Sequence, residues 1–98
     1  MSAFTLVVRD EAQEEIEAIA DWYDAQRPGL GQRFSDELEN ALKQLRTNPH
    51  HQVRKGVYRY GYITGFPHYR IVYAVDGETI TVYQVRHTSR RPHLKYGP

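Results

Sequence analysis

The chain contains no cysteine. That one absence removes disulfide staples, thiol nucleophiles and zinc–thiolate centres together, and it fits a reducing compartment. Long apolar runs are missing too. The first residues, Met-Ser-Ala-Phe-Thr-Leu-Val-Val-Arg-Asp, have neither a basic n-region nor a stretch able to cross a bilayer, which is the pattern of a soluble, cytoplasmic protein. No Gly-rich loop precedes a helix, so nucleoside triphosphates lack their usual cradle. His50-His51 could be combined with His87 or His93 as a metal site. However, no histidine or carboxylate recurs at ligand spacing on a regular element, so no metal and no cofactor is expected.

What the chain does have is charge, divided by position. Residues 1–48 hold five Lys/Arg against ten Asp/Glu, a balance of −5, and residues 49–98 hold eight against two, a balance of +6. All five histidines fall in the basic half. The total of +1 therefore hides a polarised molecule. A basic face of this kind meets phosphate or an acidic protein segment, unless the helices are simply acid-rich on their solvated sides. At 98 residues the chain is one domain, 1–98, because the size scaling lets it bury only roughly 60% of its extended surface.

Periodicity divides the domain. Phe4 to Val8 is an apolar, β-branched run that reads as a strand. Asp10, with Gln13 three residues on, reads as the N-cap of a helix whose Ala12, Ile16, Ile19, Ala20 and Tyr23 share one face. Trp22 lies about 60° off that stripe, at the edge of the core or waiting for a partner. Arg27-Pro28-Gly29 breaks this helix. A second begins near Leu30 or Gly31, buries Phe34, Leu38, Ala41, Leu42 and Leu45, and stops at Thr47-Asn48-Pro49.

After a basic loop from His50 to Gly56, Val57 to Ile63 reads as a second strand, with Tyr58, Tyr60 and Tyr62 on one side and Val57, Arg59 and Ile63 on the other. Thr64-Gly65-Phe66-Pro67 is a turn. Tyr69 to Val75 and Thr79 to Val85 form a hairpin through Asp76-Gly77. The expectation is an α+β domain of order β-α-α-β-β-β. A two-helix antiparallel hairpin covers one face of the sheet, and the three later strands are antiparallel.

The chain resembles the RelE/ParE superfamily, the toxins of bacterial type II toxin–antitoxin systems, over nearly its full length. The resemblance rests on Arg27-Pro28-Gly29-Leu30-Gly31-Gln32-Arg33-Phe34, on Asn48-Pro49 and on the isolated Arg59. It continues through Phe66-Pro67-His68-Tyr69-Arg70-Ile71-Val72-Tyr73 and ends with Val85-Arg86-His87-Thr88-Ser89-Arg90-Arg91-Pro92. It implies a growth-inhibiting toxin held silent by an antitoxin expressed beside it. RelE-like members cut messenger RNA in the ribosomal A site, whereas ParE-like members inhibit DNA gyrase. The His87-x-x-Arg90-x-Pro92 ending is more similar to the ParE-type, plasmid-stabilisation branch. A relative that only binds its antitoxin is the third possibility, because fold does not fix function.

A metal-independent ribonuclease needs cations at the phosphate and a group that moves a proton. Lys55, Arg59, Arg70, His87, Arg90, Arg91 and Tyr96 are the candidates. Arg59, His87, Arg90 and Tyr96 would be catalytic if the chain is a nuclease. Lys55, Arg70 and Arg91 would hold phosphate or another target. Tyr96 enters by its separation from Arg90, which is similar to that in RelE-like nucleases, although the residues between do not match. Arg59, mid-strand, either lines the open face or pairs with an acid. His87 either transfers a proton or ties the sheet to the tail. The tyrosine stripe could stack on bases or be core. An acidic, partly disordered antitoxin tail is expected to lie along the helix hairpin at Ile19, Trp22 and Tyr23.

Overall fold

The computed structural model describes residues 4–51 and 53–88. Strand β1 (Thr5–Val8) leads into helix α1 (Asp10–Gln26), which turns into helix α2 (Leu30–Thr47). A short 3-10 turn at Pro49–His51 follows, then β2 (Val53–Lys55), β3 (Tyr58–Tyr62), β4 (Tyr69–Asp76) and β5 (Thr79–His87). The α+β order read from the sequence holds, and the three later strands are antiparallel to one another. The basic loop, however, contains a further short strand, β2, which pairs with β3. The sheet order is β1-β5-β4-β3-β2, with β1 parallel to β5. The N-terminal strand thus joins the last one, placing a parallel pair on an otherwise antiparallel sheet.

Helix α1 does not begin as expected. Arg9 is the N-cap residue and gives no side-chain cap, and Asp10 is already helical. The reason lies in the sheet: Arg9 N–H donates to the Val82 carbonyl at 3.0 Å, which keeps residue 9 extended. Asp10 and Glu11 still occupy the first turn, where carboxylates favour the helix dipole. Helix α2 starts from Gly29, whose φ of +89° is a left-handed conformation that only glycine adopts without strain.

Both helices lie on one face of the sheet. Ala12 and Ile19 of α1 and Phe34, Leu38, Ala41 and Leu45 of α2 pack with Ile71, Tyr73, Ile80, Val82 and Val85. Phe66, read as part of a turn, belongs to this core, and its ring centroid lies 5.1 Å from that of Phe34 and from that of Tyr23. Val57 lies outside β3 and is exposed, whereas Ile63, just past its end, is buried. The β4–β5 turn falls on Gly77-Glu78, one residue later than expected, because Asp76 still pairs with Thr79.

A register shift between β4 and β5 makes Tyr83 an extra residue: Val72 faces Gln84 while Tyr73 faces Val82. Bulges of this kind re-aim side chains. The Tyr83 ring meets that of Tyr58 at 5.5 Å and lies under the Arg9 guanidinium at 5.4 Å, on the sheet face away from the helices.

Candidate functional site

Strand β1 ends opposite Val82, while β5 continues to His87. Beyond that point Glu15 of α1 takes the place of a strand, and its Oε1 accepts the Val85 N–H at 2.9 Å. The bond holds α1 over the far ends of β4 and β5. Between them opens a groove of about 620 Å³.

One wall of the groove is Ala18, Ile19, Trp22 and Tyr23 of α1. The other is His68, Tyr69, Val85 and His87. Ile19 is buried, Tyr23 half-buried and Trp22 56% exposed, so the three residues expected to hold an antitoxin do converge, with an indole unusually open to water. Trp22 is therefore not a core-edge residue. Its ring stands edge-on to Tyr23 at 5.2 Å, and Tyr23 is in turn locked against Phe34, Phe66 and Tyr69. Burial, then the nearby Tyr69, raises the Tyr23 pKa above its ordinary 10.0.

The histidine end of the groove was not read from the sequence as part of it. His68 and His87 stack at 5.6 Å with their planes 16° apart, and Tyr69 meets His87 edge-on at 5.1 Å. Tyr69 and His87 are cross-strand partners, and Thr88 N–H donates to the His68 carbonyl at 2.7 Å. The readable signal was Pro67-His68-Tyr69 opening one strand of a hairpin whose other strand ends in His87.

The remaining candidates are dispersed. Arg59 is registered with Tyr73 and shares its helix-side face. Its Nη1 donates to the His50 carbonyl at 3.1 Å, and Tyr73 OH donates to the Pro49 carbonyl at 2.6 Å, so both side chains hold the 3-10 turn. Burial pushes the Tyr73 phenol up to about 12, against the nearby Arg59 charge, which pulls it down. Arg59 thus sits on the face opposite to the one expected if it lined the open side.

Arg70 is on the other face, its guanidinium 4.3 Å above the Tyr62 ring. Lys55 is the last residue of β2. Arg90, Arg91 and Tyr96 lie outside the described residues. The tyrosine stripe Tyr58, Tyr60 and Tyr62 proves to be on the open face, not in the core. Among the described residues no three His, Asp or Glu side chains gather to hold a metal ion, and no helix is long and apolar enough to cross a membrane.

No curated protein matches the chain. A chain of the chromosomal ParDE TA system from P. aeruginosa superposes with a TM-score of 0.77 at 15% identity, covering 89% of this chain and 98% of that one. A chain of the toxin–antitoxin complex RelBE2 from Mycobacterium tuberculosis superposes with a TM-score of 0.61 at 18% identity, covering 89% and 93%. Such identities establish the shared fold. The sequence model of the ParE toxin of the type II toxin-antitoxin system parDE matches residues 6–92, nearly the whole domain, and on that ground the chain belongs to the ParE toxin family.

Proposed function

We propose that this chain arrests growth by binding DNA gyrase rather than by cutting RNA, and that an acidic antitoxin tail occupies the groove between α1 and the ends of β4 and β5. The observation that carries the reading is the separation of Arg59 from His87. They lie two strands apart and four residues out of register, roughly 16 Å between Cα atoms at ordinary strand spacings. Arg59 faces the 3-10 turn and His87 faces the groove. Acid–base cleavage of a phosphodiester needs cation and proton-transfer group within hydrogen-bond reach of one reacting centre.

The groove suits a peptide. Its apolar walls accept one or two large side chains, and the paired imidazoles at its end accept a carboxylate. The neighbouring ParDE and RelBE2 structures are of toxin–antitoxin systems, which supports an antitoxin as the partner here. Trp22 is the only tryptophan, so its fluorescence reports occupancy directly.

The test is induction of the chain alone in a bacterial host, followed by primer extension on abundant messages and a plasmid-supercoiling gel from the same cells. Intact messages with relaxed DNA support the gyrase reading. Ribosome-dependent cuts with normal supercoiling replace it with a RelE-like nuclease. Unimpaired growth leaves a relative that only binds its antitoxin.

A further inference from the structure

The sheet face turned away from the helices carries a lattice of tyrosines and arginines. Strand β3 contributes Tyr58, Tyr60 and Tyr62, spaced about 6.6 Å apart along the strand. Arg70 of β4 stands beside Tyr62, and Arg86 of β5 stands beside Arg70. Two like charges directly across a strand pair repel each other. Neither guanidinium meets a carboxylate among the described residues. Arg70 Nη1 instead donates to the carbonyls of Pro67 at 2.7 Å and Tyr69 at 3.1 Å, and Arg86 lies 6.0 Å over the Tyr60 ring.

One row further on, Tyr60, Val72 and Gln84 are in register. Gln84 is only 9% exposed, and among the described residues neither its Oε1 nor the Tyr60 hydroxyl has a hydrogen-bond partner. A buried acceptor left unpaired is costly, and it calls for a donor. The face therefore combines three demands: negative charge between two arginines, a planar group for exposed Tyr62, and an N–H for Gln84. The side chains of an acidic peptide meet only the first, because carboxylates do not donate, whereas one step of a nucleotide strand carries the phosphate, the planar ring and a base N–H together. Duplex nucleic acid has its bases already stacked and paired.

We propose that this face binds single-stranded nucleic acid. A phosphate sits between Arg70 and Arg86, one base stacks on Tyr62, and an N–H of a neighbouring base, the amino group of A, C or G or the N3–H of T or U, donates to Gln84 Oε1. Arg86 swings off Tyr60 to reach the phosphate, and the same movement uncovers the Tyr60–Gln84 row. The binding involves no cleavage and does not depend on gyrase being the target.

The test is fluorescence anisotropy of the full chain with a labelled oligothymidylate, the matching oligouridylate and a mixed-sequence strand, each of about twelve nucleotides. Arg86→Gln should weaken binding about five- to tenfold and reduce the slope of log affinity against log salt by about 0.7, one phosphate's share on a single strand. Tyr62→Ser should weaken it at least about fivefold, and circular dichroism checks that both variants fold. Tighter binding of thymidylate identifies DNA as the natural strand and tighter binding of uridylate identifies RNA; either supports the assignment. Three results would overturn it: no binding at low salt, binding unchanged in both variants, or competition by oligoglutamate as strong as that of unlabelled oligonucleotide.

Discussion

Replacing Gly31 with alanine tests how the helix hairpin is closed. By helix propensity alone the change should stabilise the protein by about 1 kcal/mol, since Gly31 lies in the first turn of α2. The packing says otherwise. A Cβ at position 31 would overlap the Ala20 carbonyl oxygen and come within 2.7 Å of the Asp24 carboxylate. The carboxylate can rotate away, but the carbonyl is α1 backbone, so α2 must move. That movement stretches the bond from Gly31 N–H to Asp24 Oδ1, now 2.8 Å, which is worth about 1.5–3 kcal/mol with a charged acceptor. Forced repacking adds about 1–3 kcal/mol. Set against the propensity gain, the net loss is about 2–4 kcal/mol, or roughly 10–25 °C in Tm for a domain of this size. Urea titration followed by circular dichroism measures it. Gly61→Ala is the control, because its Cβ would meet Ile71, Leu45 and Tyr73 at an ordinary 3.6–3.7 Å, and in a strand it should gain about 0.5–1 kcal/mol. If Gly31→Ala is as stable as the parent protein, the close approach of the two helices is not what this glycine provides.

Tyr73→Phe removes the bond to the buried Pro49 carbonyl and should cost about 1–3 kcal/mol. It should also flatten the alkaline limb of stability. With its pKa raised from 10.0 to about 12, Tyr73 keeps its proton in the fold after the unfolded chain has lost it. Its contribution is thus whole below pH 10 and declines between pH 10 and about 12. Tyr23, raised as well, leaves a residual slope; a limb identical in the two proteins would contradict the assignment. Trp22→Ala should alter folding by less than about 0.5 kcal/mol, yet weaken the proposed antitoxin by about 2 kcal/mol, near thirtyfold, by calorimetry. Equal affinity would remove the indole from the interface. Arg59→Gln should cost about 1 kcal/mol through the lost bond to His50 and leave growth inhibition in place. A folded variant that no longer inhibits growth would restore Arg59 as a catalytic group.

The layers of this fold were legible because their signals are local. The stripe Phe34, Leu38, Ala41 and Leu45 is a helix face whatever lies beneath it, and Arg27-Pro28-Gly29 is a turn on backbone grounds. What escaped depends on contacts between distant residues. β2 is three residues long and exists through its pairing with β3, which no periodicity announces. Asp10 loses its capping role to a hydrogen bond from Arg9 to Val82, seventy-three positions away. Phe66 sits among turn residues yet is only 6% exposed, because the α1–α2 hairpin brings Tyr23 and Phe34 over it. At the site, Ile19, Trp22 and Tyr23 could be grouped by helical spacing. His68 and His87 could not, because only the β4–β5 register sets one ring on the other. The tyrosine stripe was correctly resolved from Arg59 by alternation, but which side the helices covered is a tertiary fact.

Among the described residues the charge division of the sequence becomes in part a division in space, although Arg59 faces the helix side. All ten acidic residues of the first half fall within α1 and α2, while Arg70 and Arg86 point from the opposite side of the sheet. An acidic antitoxin tail lying in the groove runs beside Glu15 and the rest of acidic α1, so away from the His68–His87 end charge is not what draws it there. Apolar contact with Ile19, Trp22 and Tyr23 must supply that part of the affinity, and it should depend little on salt. The tail's carboxylates reach the guanidinium groups of Arg70 and Arg86 once it rounds the sheet end near His68 to the Tyr62 row. A tail long enough to do so would compete with a polynucleotide for the same two guanidinium groups. Adding antitoxin to the oligonucleotide complex should therefore displace the strand, and the Trp22 fluorescence change should persist in salt strong enough to abolish that displacement. If Trp22 responded fully while the strand stayed bound at low salt, the tail would end in the groove, and the two faces of the sheet would act independently.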